Sequence, residues 1–260
     1  MVIAIAVCSL LLPTVLDAQH LHTGRWEECS IQLDPSLTQE AFRQFTREAG
    51  LLTYFRPLLD ARPMGKKHFE LSLVQWKTGI DDRDAAWNDT FVHPDTTHWL
   101  FEGSGLAFPG LTGRVGVTDR MDVGVYFTKN IKANYGFFGG QVQYSLVNHP
   151  EKKWAAATRV SYIQLFGPDD VNLQTYGLDL LVSREFPIYS TWASISPYVS
   201  VSGYLSHTHE KSEVVELADE TVLGTQASVG AVARLAILRL GVEYNFARVN
   251  TMSVKVGVAF

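Results

Sequence analysis

Two stretches carry the side chains best equipped for chemistry. His207-Thr208-His209-Glu210 sets two imidazoles beside a carboxylate, and Asp81, Asp82, Asp84, His93, Asp95 and His98 gather acids and imidazoles within one short stretch. Imidazole next to carboxylate is the make-up of a general-base pair or of a surface cation site. It is equally the make-up of a solvated acidic loop. The sequence contains no G-x-S-x-G, no H-E-x-x-H and no paired-cysteine ligand pattern. The expectation is therefore no catalytic residue, no metal site and no cofactor.

A second set of charges is spread singly along the chain: Glu70, Arg114, Arg159, Asp179, Arg239, Glu243 and Lys255. Each lies in a segment that alternates polar and apolar residues. In LRLGVEYNFA, Gly241, Glu243 and Asn245 alternate with Leu240, Val242, Tyr244 and Phe246. In SISPYVSVSGYLS, Ser194, Ser196, Ser200, Ser202 and Ser206 interleave with Ile195, Val199, Val201 and Leu205. Gln141, Gln143 and Ser145 oppose Val142, Tyr144 and Leu146, and Asp179 and Ser183 oppose Leu178, Leu180 and Val182. A period of two marks β-strands whose two faces meet different surroundings.

Which face meets which solvent follows from charge density. A water-soluble sandwich would hide its apolar faces and cover its exterior densely with charge. Here the polar faces are mostly Ser, Gly, Gln, Thr and Ala, and charged residues make up 19% of the chain, against roughly 25% in a typical soluble domain. The opposite arrangement fits: an all-β, transmembrane antiparallel barrel with apolar side chains toward lipid and a narrow polar lumen. The seven charges then form a lumen network, paired with one another. Eight strands leave an interior just wide enough for side chains, so a slightly larger barrel is expected to be narrow or blocked.

About ten strands can be counted, at 68–76, 106–117, 122–129, 136–147, 154–165, 173–184, 194–206, 223–234, 238–248 and 251–260. Twelve is the alternative count if THWLFEG hides another pair. With ten, parity puts TDRMD, NHPEKK, FPIYST and the turn near Leu235 at the end that carries Phe260, and puts the long links 77–105 and 207–222 together at the other. Trp154, Phe186, Tyr189, Trp192 and Phe260 are placed for an aromatic girdle at one end, and Phe127, Phe137, Tyr162, Tyr176 and Phe246 for one toward the other.

The N-terminal region has a different texture. An apolar run from Val2 to Leu12, Pro13 and a small residue at Ala18 read as a signal peptide, 1–18, although it lacks the usual basic start. Removing it takes Cys8 away and leaves Cys29 alone, which excludes an internal disulfide. Residues 19–66 form a helical extension or plug. Asp34-Pro35-Ser36 offers helix-start chemistry, and Leu37, Ala41, Phe42, Phe45 and Ala49 make one stripe ending at Gly50. The barrel is assigned to 67–260. A net charge of −5 leaves no basic footprint, so nucleic acid is not an expected partner.

The last strand, TMSVKVGVAF, with Val256, Val258 and Phe260 on one face, resembles the C-terminal assembly signal of Gram-negative outer-membrane β-barrel proteins. The hairpin LTGRVGVTDRMDVGVYF is similar to a periplasmic hairpin frequent in small members of that family. Together these cover roughly 67–260. The resemblance implies a bacterial outer-membrane location reached through a cleaved signal peptide. It also implies contact with the barrel-assembly machinery, with outer-membrane lipid and with lipopolysaccharide. Activity is not implied, because a fold does not fix a function. A porin-like role, as a narrow channel or transporter for small polar or amphipathic solutes, is the first expectation. A non-conducting structural or surface-binding barrel is the alternative, and an enzyme at the outer rim comes third. The facing assignment predicts that Val256→Arg is poorly tolerated and Gly257→Ser well tolerated.

Overall fold

The computed structural model describes residues 30–56, 58–81, 83–92, 107–189 and 192–260. The expected signal peptide, Cys8, Cys29, Asp82, His93, Asp95 and His98 lie outside them. The strands are β1 (Ser30–Ile31), β2 (Phe69–Thr78), β3 (Phe91–Val92), β4 (Ala107–Gly116), β5 (Met121–Lys129), β6 (Gly136–His149), β7 (Trp154–Phe166), β8 (Val171–Arg184), β9 (Phe186–Tyr189), β10 (Ala193–Glu210), β11 (Glu220–Leu235), β12 (Leu238–Phe246) and β13 (Thr251–Ala259). The helices are α1 (Gln39–Leu52) and α2 (Ala85–Asn88).

Ten of these strands close a barrel. β2, β4 to β8 and β10 to β13 pair antiparallel in chain order, and the last strand returns to the first through Thr251↔Thr78 and Ala259↔Glu70. The alternative count of twelve is overturned, because β2 bonds directly to β4 from Lys77↔Ala107 to Phe69↔Val115 and leaves no gap for another pair. β9 attaches to the start of β10, and β1 and β3 form a separate two-stranded sheet. The expected parity holds. Among the described residues, the links at 117–120, 150–153, 185–189 and 236–237 sit at the end that carries Phe260, while 79–81, 83–92 and 211–219 sit at the far end.

Alternation decides the facing of each strand. Leu73, Val125 and Val201 are each 60% exposed on the outer surface, whereas Ser196, Ser206 and Ser253 are fully buried inside. Apolar side chains cover the outside of the wall around the whole barrel. So large an apolar surface is what a bilayer, and not water, accommodates. No described helix is long and apolar enough to cross a membrane, which says nothing of crossing by strands.

The uniform polar lumen needs correction at the far end. There Val74, Trp76, Tyr126, Phe137, Ile163, Leu165, Val171 and Leu173 point inward and are buried. They pack against Phe42, Phe45, Ala49 and Leu52 of α1, which sits in the barrel mouth. Phe137 therefore belongs to this internal core and not to an outer girdle. Phe127, Tyr176, Phe246, Phe186, Trp192 and Phe260 do face outward, and Phe69 stacks on Phe260 with centroids 5.1 Å apart.

The helix itself starts and stops elsewhere than expected. Thr38 is the N-cap, its hydroxyl accepting from the Ala41 N–H at 3.3 Å, while Asp34 closes a local turn by accepting from Ser36 N–H at 2.8 Å. The helix runs on through Gly50, where no side chain fits: a Cβ would fall 2.5 Å from the Ser206 Cβ. Glycine here serves close approach of helix to wall, not termination.

Candidate functional site

After α1 the chain threads down the lumen. Leu51, Leu52, Thr53, Tyr54, Phe55, Arg56, Leu58, Leu59, Asp60 and Ala61 are all buried. The segment leaves the helix at Thr53, bends at Leu58 with φ of +49°, and turns at Gly65, φ +85°, to enter β2. A left-handed conformation at a leucine is unfavourable by about 1–2 kcal/mol. Complete burial of the Leu58 side chain offsets that cost.

Three layers of polar contacts hold this segment. In the middle, the Tyr54 hydroxyl donates to Asp179 Oδ1 at 2.8 Å, and Arg159 Nε donates to Asp179 Oδ2 at 2.7 Å. Burial, reinforced by the Asp179 carboxylate, pushes the Tyr54 hydroxyl well above its ordinary pKa, so it stays a donor. Its ring lies over Gly177 of β8, where a Cβ would come within 2.6 Å of the ring. The wall is notched for this residue.

Arg56 forms the second layer. Nε donates to Asn245 Oδ1 at 3.0 Å, Nη1 to the Tyr54 carbonyl at 2.9 Å and Nη2 to the Leu51 carbonyl at 2.7 Å. Burial pulls its pKa down to about 10, with Glu243 among the carboxylates that oppose the shift. Glu243 accepts from Tyr198 at 2.6 Å. With Arg159, Arg56, Asp179 and Glu243, this central region balances two cations against two carboxylates. Tyr54, Arg56, Arg159, Asp179 and Tyr198 are each 5% exposed or less, so the centre of the lumen is filled.

The third layer lies near the Phe260 end. Asp60 accepts from Arg62 Nη2 at 2.9 Å and Arg234 Nη2 at 3.0 Å, and its carbonyl accepts from Gln143 Nε2 at 3.1 Å. Burial alone would raise the Asp60 pKa, but Arg234 and Arg62 outweigh it and hold the carboxyl well below its ordinary range. Ala61 N–H donates to Ser183 Oγ at 3.0 Å, and Met64 N–H to both Asp122 carboxylate oxygens at 3.2 Å.

Of the seven charges read from the sequence, six are buried or nearly so on the lumen side and Arg239 is half-buried. The structure joins Arg159 to Asp179, and Lys255 to Glu70 at 2.7 Å. Arg114 stands opposite Glu70 in register yet pairs with Asp122, and Glu243 bonds Tyr198. Arg239 donates to the Ala236 and Leu238 carbonyls at the β11–β12 turn. Tyr54, Arg56, Asp60, Arg62, Asp122, Glu185, Tyr198 and Arg234 were not anticipated. Isolated charges in the leucine-rich run LLTYFRPLLDAR were the available signal, since a charge among large apolar residues needs a built partner.

At the far end the histidines do not converge. His207 Nδ1 meets Thr221 Oγ1 at 2.9 Å, His209 Nδ1 meets Asp219 Oδ1 at 2.7 Å, and Glu210 accepts instead from Ser212 and Leu217 N–H. Asp81 accepts from Arg83 N–H and Asp84 from Gln44, also apart. Among the described residues no group of three or more metal-ligating side chains comes together. On the last strand, Val256 and Phe260 face outward at 48% and 54% exposure and Val258 is partly buried.

No protein-family model and no curated protein matches this chain. Solved structures align with much of it at low identity and low TM-score. The β domain of the Bordetella autotransporter BrkA aligns over 75% of this chain and 100% of its own, at 10% identity and a TM-score of 0.42. An outer membrane channel from Pseudomonas putida F1 aligns over 79% and 99%, at 12% identity and 0.43. The translocator domain of NalP from Neisseria meningitidis aligns over 84% and 93%, at 9% identity and 0.35. The activities named for those proteins stay with them.

Proposed function

We propose that this chain is an integral β-barrel of a bacterial outer membrane and a narrow channel or transporter for small polar or amphipathic solutes, closed in this conformation by its own residues 51–64. The observation that carries the reading is the way the lumen is filled. Below the helix the plug is held mainly by hydrogen bonds and ion pairs to wall side chains, at Asp179, Asn245, Ser183, Arg234 and Asp122. Water can take over such contacts at a net cost of about 0.5–3 kcal/mol each, the higher values for those with a charged partner, so the wall left behind is a wettable path. The apolar exterior supports lipid as the surrounding solvent, with lipopolysaccharide and the assembly machinery, reading Val256, Val258 and Phe260, as proposed partners.

A non-conducting barrel is the second reading. It is favoured by the apolar core between α1 and the far-end wall, which ties the extension to the mouth by non-polar burial. Conductance in planar bilayers separates the two. The intact chain should be silent, and a variant lacking residues 19–64 should give discrete current steps. A silent deletion variant that still folds, judged by heat-modifiable mobility in detergent gels, would leave the structural barrel as the function.

A further inference from the structure

Beneath the last turn of the plug, at the Phe260 end, lies a cavity of about 150 Å³. Its walls bring together cations from separate elements: Arg62 of the plug, Arg114 of β4, Arg234 of β11, Arg239 of β12 and Lys255 of β13. Asp60 and Glu70 also line it, while Asp122 pairs with Arg114 and Glu185 with Arg62. Arg62, Arg114, Arg234 and Lys255 are ion-paired, and Arg239 is the one cation of the five outside an ion pair among the described residues. Two donors are also unused. The Nε–H groups of Arg114, whose side chain is 8% exposed, and of Arg62 are buried and have no hydrogen-bond partner among the described residues.

A buried guanidinium N–H without an acceptor carries the desolvation cost of a charged group, and an anion removes it. The cavity far exceeds the room one water needs. Its cationic lining comes from separate elements, the plug and the β4, β11, β12 and β13 walls. That arrangement suits an acceptor with oxygens pointing several ways better than a planar carboxylate, which a single guanidinium fork satisfies. We propose that this cavity binds a phosphate-type oxyanion, bridging Arg62 of the plug to Arg114 of the wall. Occupancy then favours the docked plug, because a ligand that binds only one state stabilises that state. The site stands independently of whether the barrel conducts.

The test is calorimetric titration of inorganic phosphate into the full chain in a phosphate-free, non-ionic detergent, against chloride at matched ionic strength. Saturable phosphate binding absent with chloride is expected. Arg114→Lys keeps a cation for Asp122 but removes the Nε donor, and should weaken binding tenfold or more. Arg239→Gln, at a half-buried residue outside any ion pair among the described residues, should weaken it about threefold with folding intact. Dihexanoyl phosphatidic acid identifies the source: tighter binding than phosphate assigns the site to a lipid headgroup reaching in past Phe260, and equal or weaker binding to a free solute. Phosphate binding no better than chloride, or unchanged affinity in Arg114→Lys, overturns the site.

Discussion

Replacing Arg56 by methionine tests whether the plug is held by its polar anchors. Methionine keeps the length and apolar stem while removing the guanidinium, so five bonds disappear: those to Asn245 Oδ1 and to the Tyr54 and Leu51 carbonyls, and two longer ones of 3.4 Å to Gln226 Oε1 and Thr251 Oγ1. Each bond from a charged donor contributes about 1.5–3 kcal/mol. Relief of the guanidinium's own desolvation offsets part of this, and removing one member of a buried charged network costs about 3–5 kcal/mol in total. At the lower figure, about 3 kcal/mol, the docked plug loses roughly 140-fold in population against the undocked one. Hydrogen exchange of the detergent-solubilised chain reads this directly, because amide protection reports local opening free energy. Exchange at residues 53–61 should accelerate on the order of 100-fold, while β6, β7 and β8 keep their protection. Acceleration below about threefold with an intact barrel would refute the view that these contacts hold the segment.

Other expectations follow from the same contacts. Asp60 has a folded-state pKa below its unfolded value, so its contribution is fully present above the ordinary carboxylate range, ~3.9, and fades only as pH falls through the depressed value. Plug protection from this group should be flat from pH 8 to 5 and decline only in stronger acid, whereas Asp60→Asn should lower it at every pH. Gly177→Ala puts a methyl 2.6 Å from the Tyr54 ring and 2.5 Å from Ser161 Oγ. It should loosen residues 53–55 by about 1–3 kcal/mol in exchange experiments and leave heat-modifiable mobility unchanged. Val256→Arg should cost about 2–4 kcal/mol on the lipid face, while Ser253→Ala, on the lumen face of the same strand with a hydroxyl that has no partner among the described residues, should be neutral in folding yield. Equal yields would overturn the facing. Gly257→Ser is no longer a benign comparison, since its Cβ would lie 2.0 Å from Ser72 Oγ and 2.7 Å from the Leu71 carbonyl oxygen.

The wall was legible because its causes are local. A strand forces neighbours onto opposite faces, so Val254 and Val256 against Ser253 and Lys255 announce both strand and facing without knowledge of any other segment. Ten such segments, an even count and short turns at one end lead to a closed barrel. That Arg159 pairs with Asp179 came from the structure, where they are directly opposite in register on β7 and β8.

The interior was not legible in this way. Alternation records that Phe137, Trp76 and Leu173 sit on the lumen side but not that α1 covers them there, since the helix arrives from almost a hundred residues away in the case of Phe137. Arg114 faces Glu70 across the ladder yet bonds Asp122, because side-chain reach and the plug's Met64 N–H at Asp122 settle the partner, not register. Gly177 and Gly257 read alike as small lumen residues, and only the neighbouring atoms distinguish the notch for Tyr54 from close contact with Ser72. Sequence periodicity thus determined the barrel and its facing, as properties of single strands. What fills the lumen, which charges pair and where donors stay unused depend on through-space distances between segments far apart in the chain, and these exist only once the barrel has closed around residues 51–64.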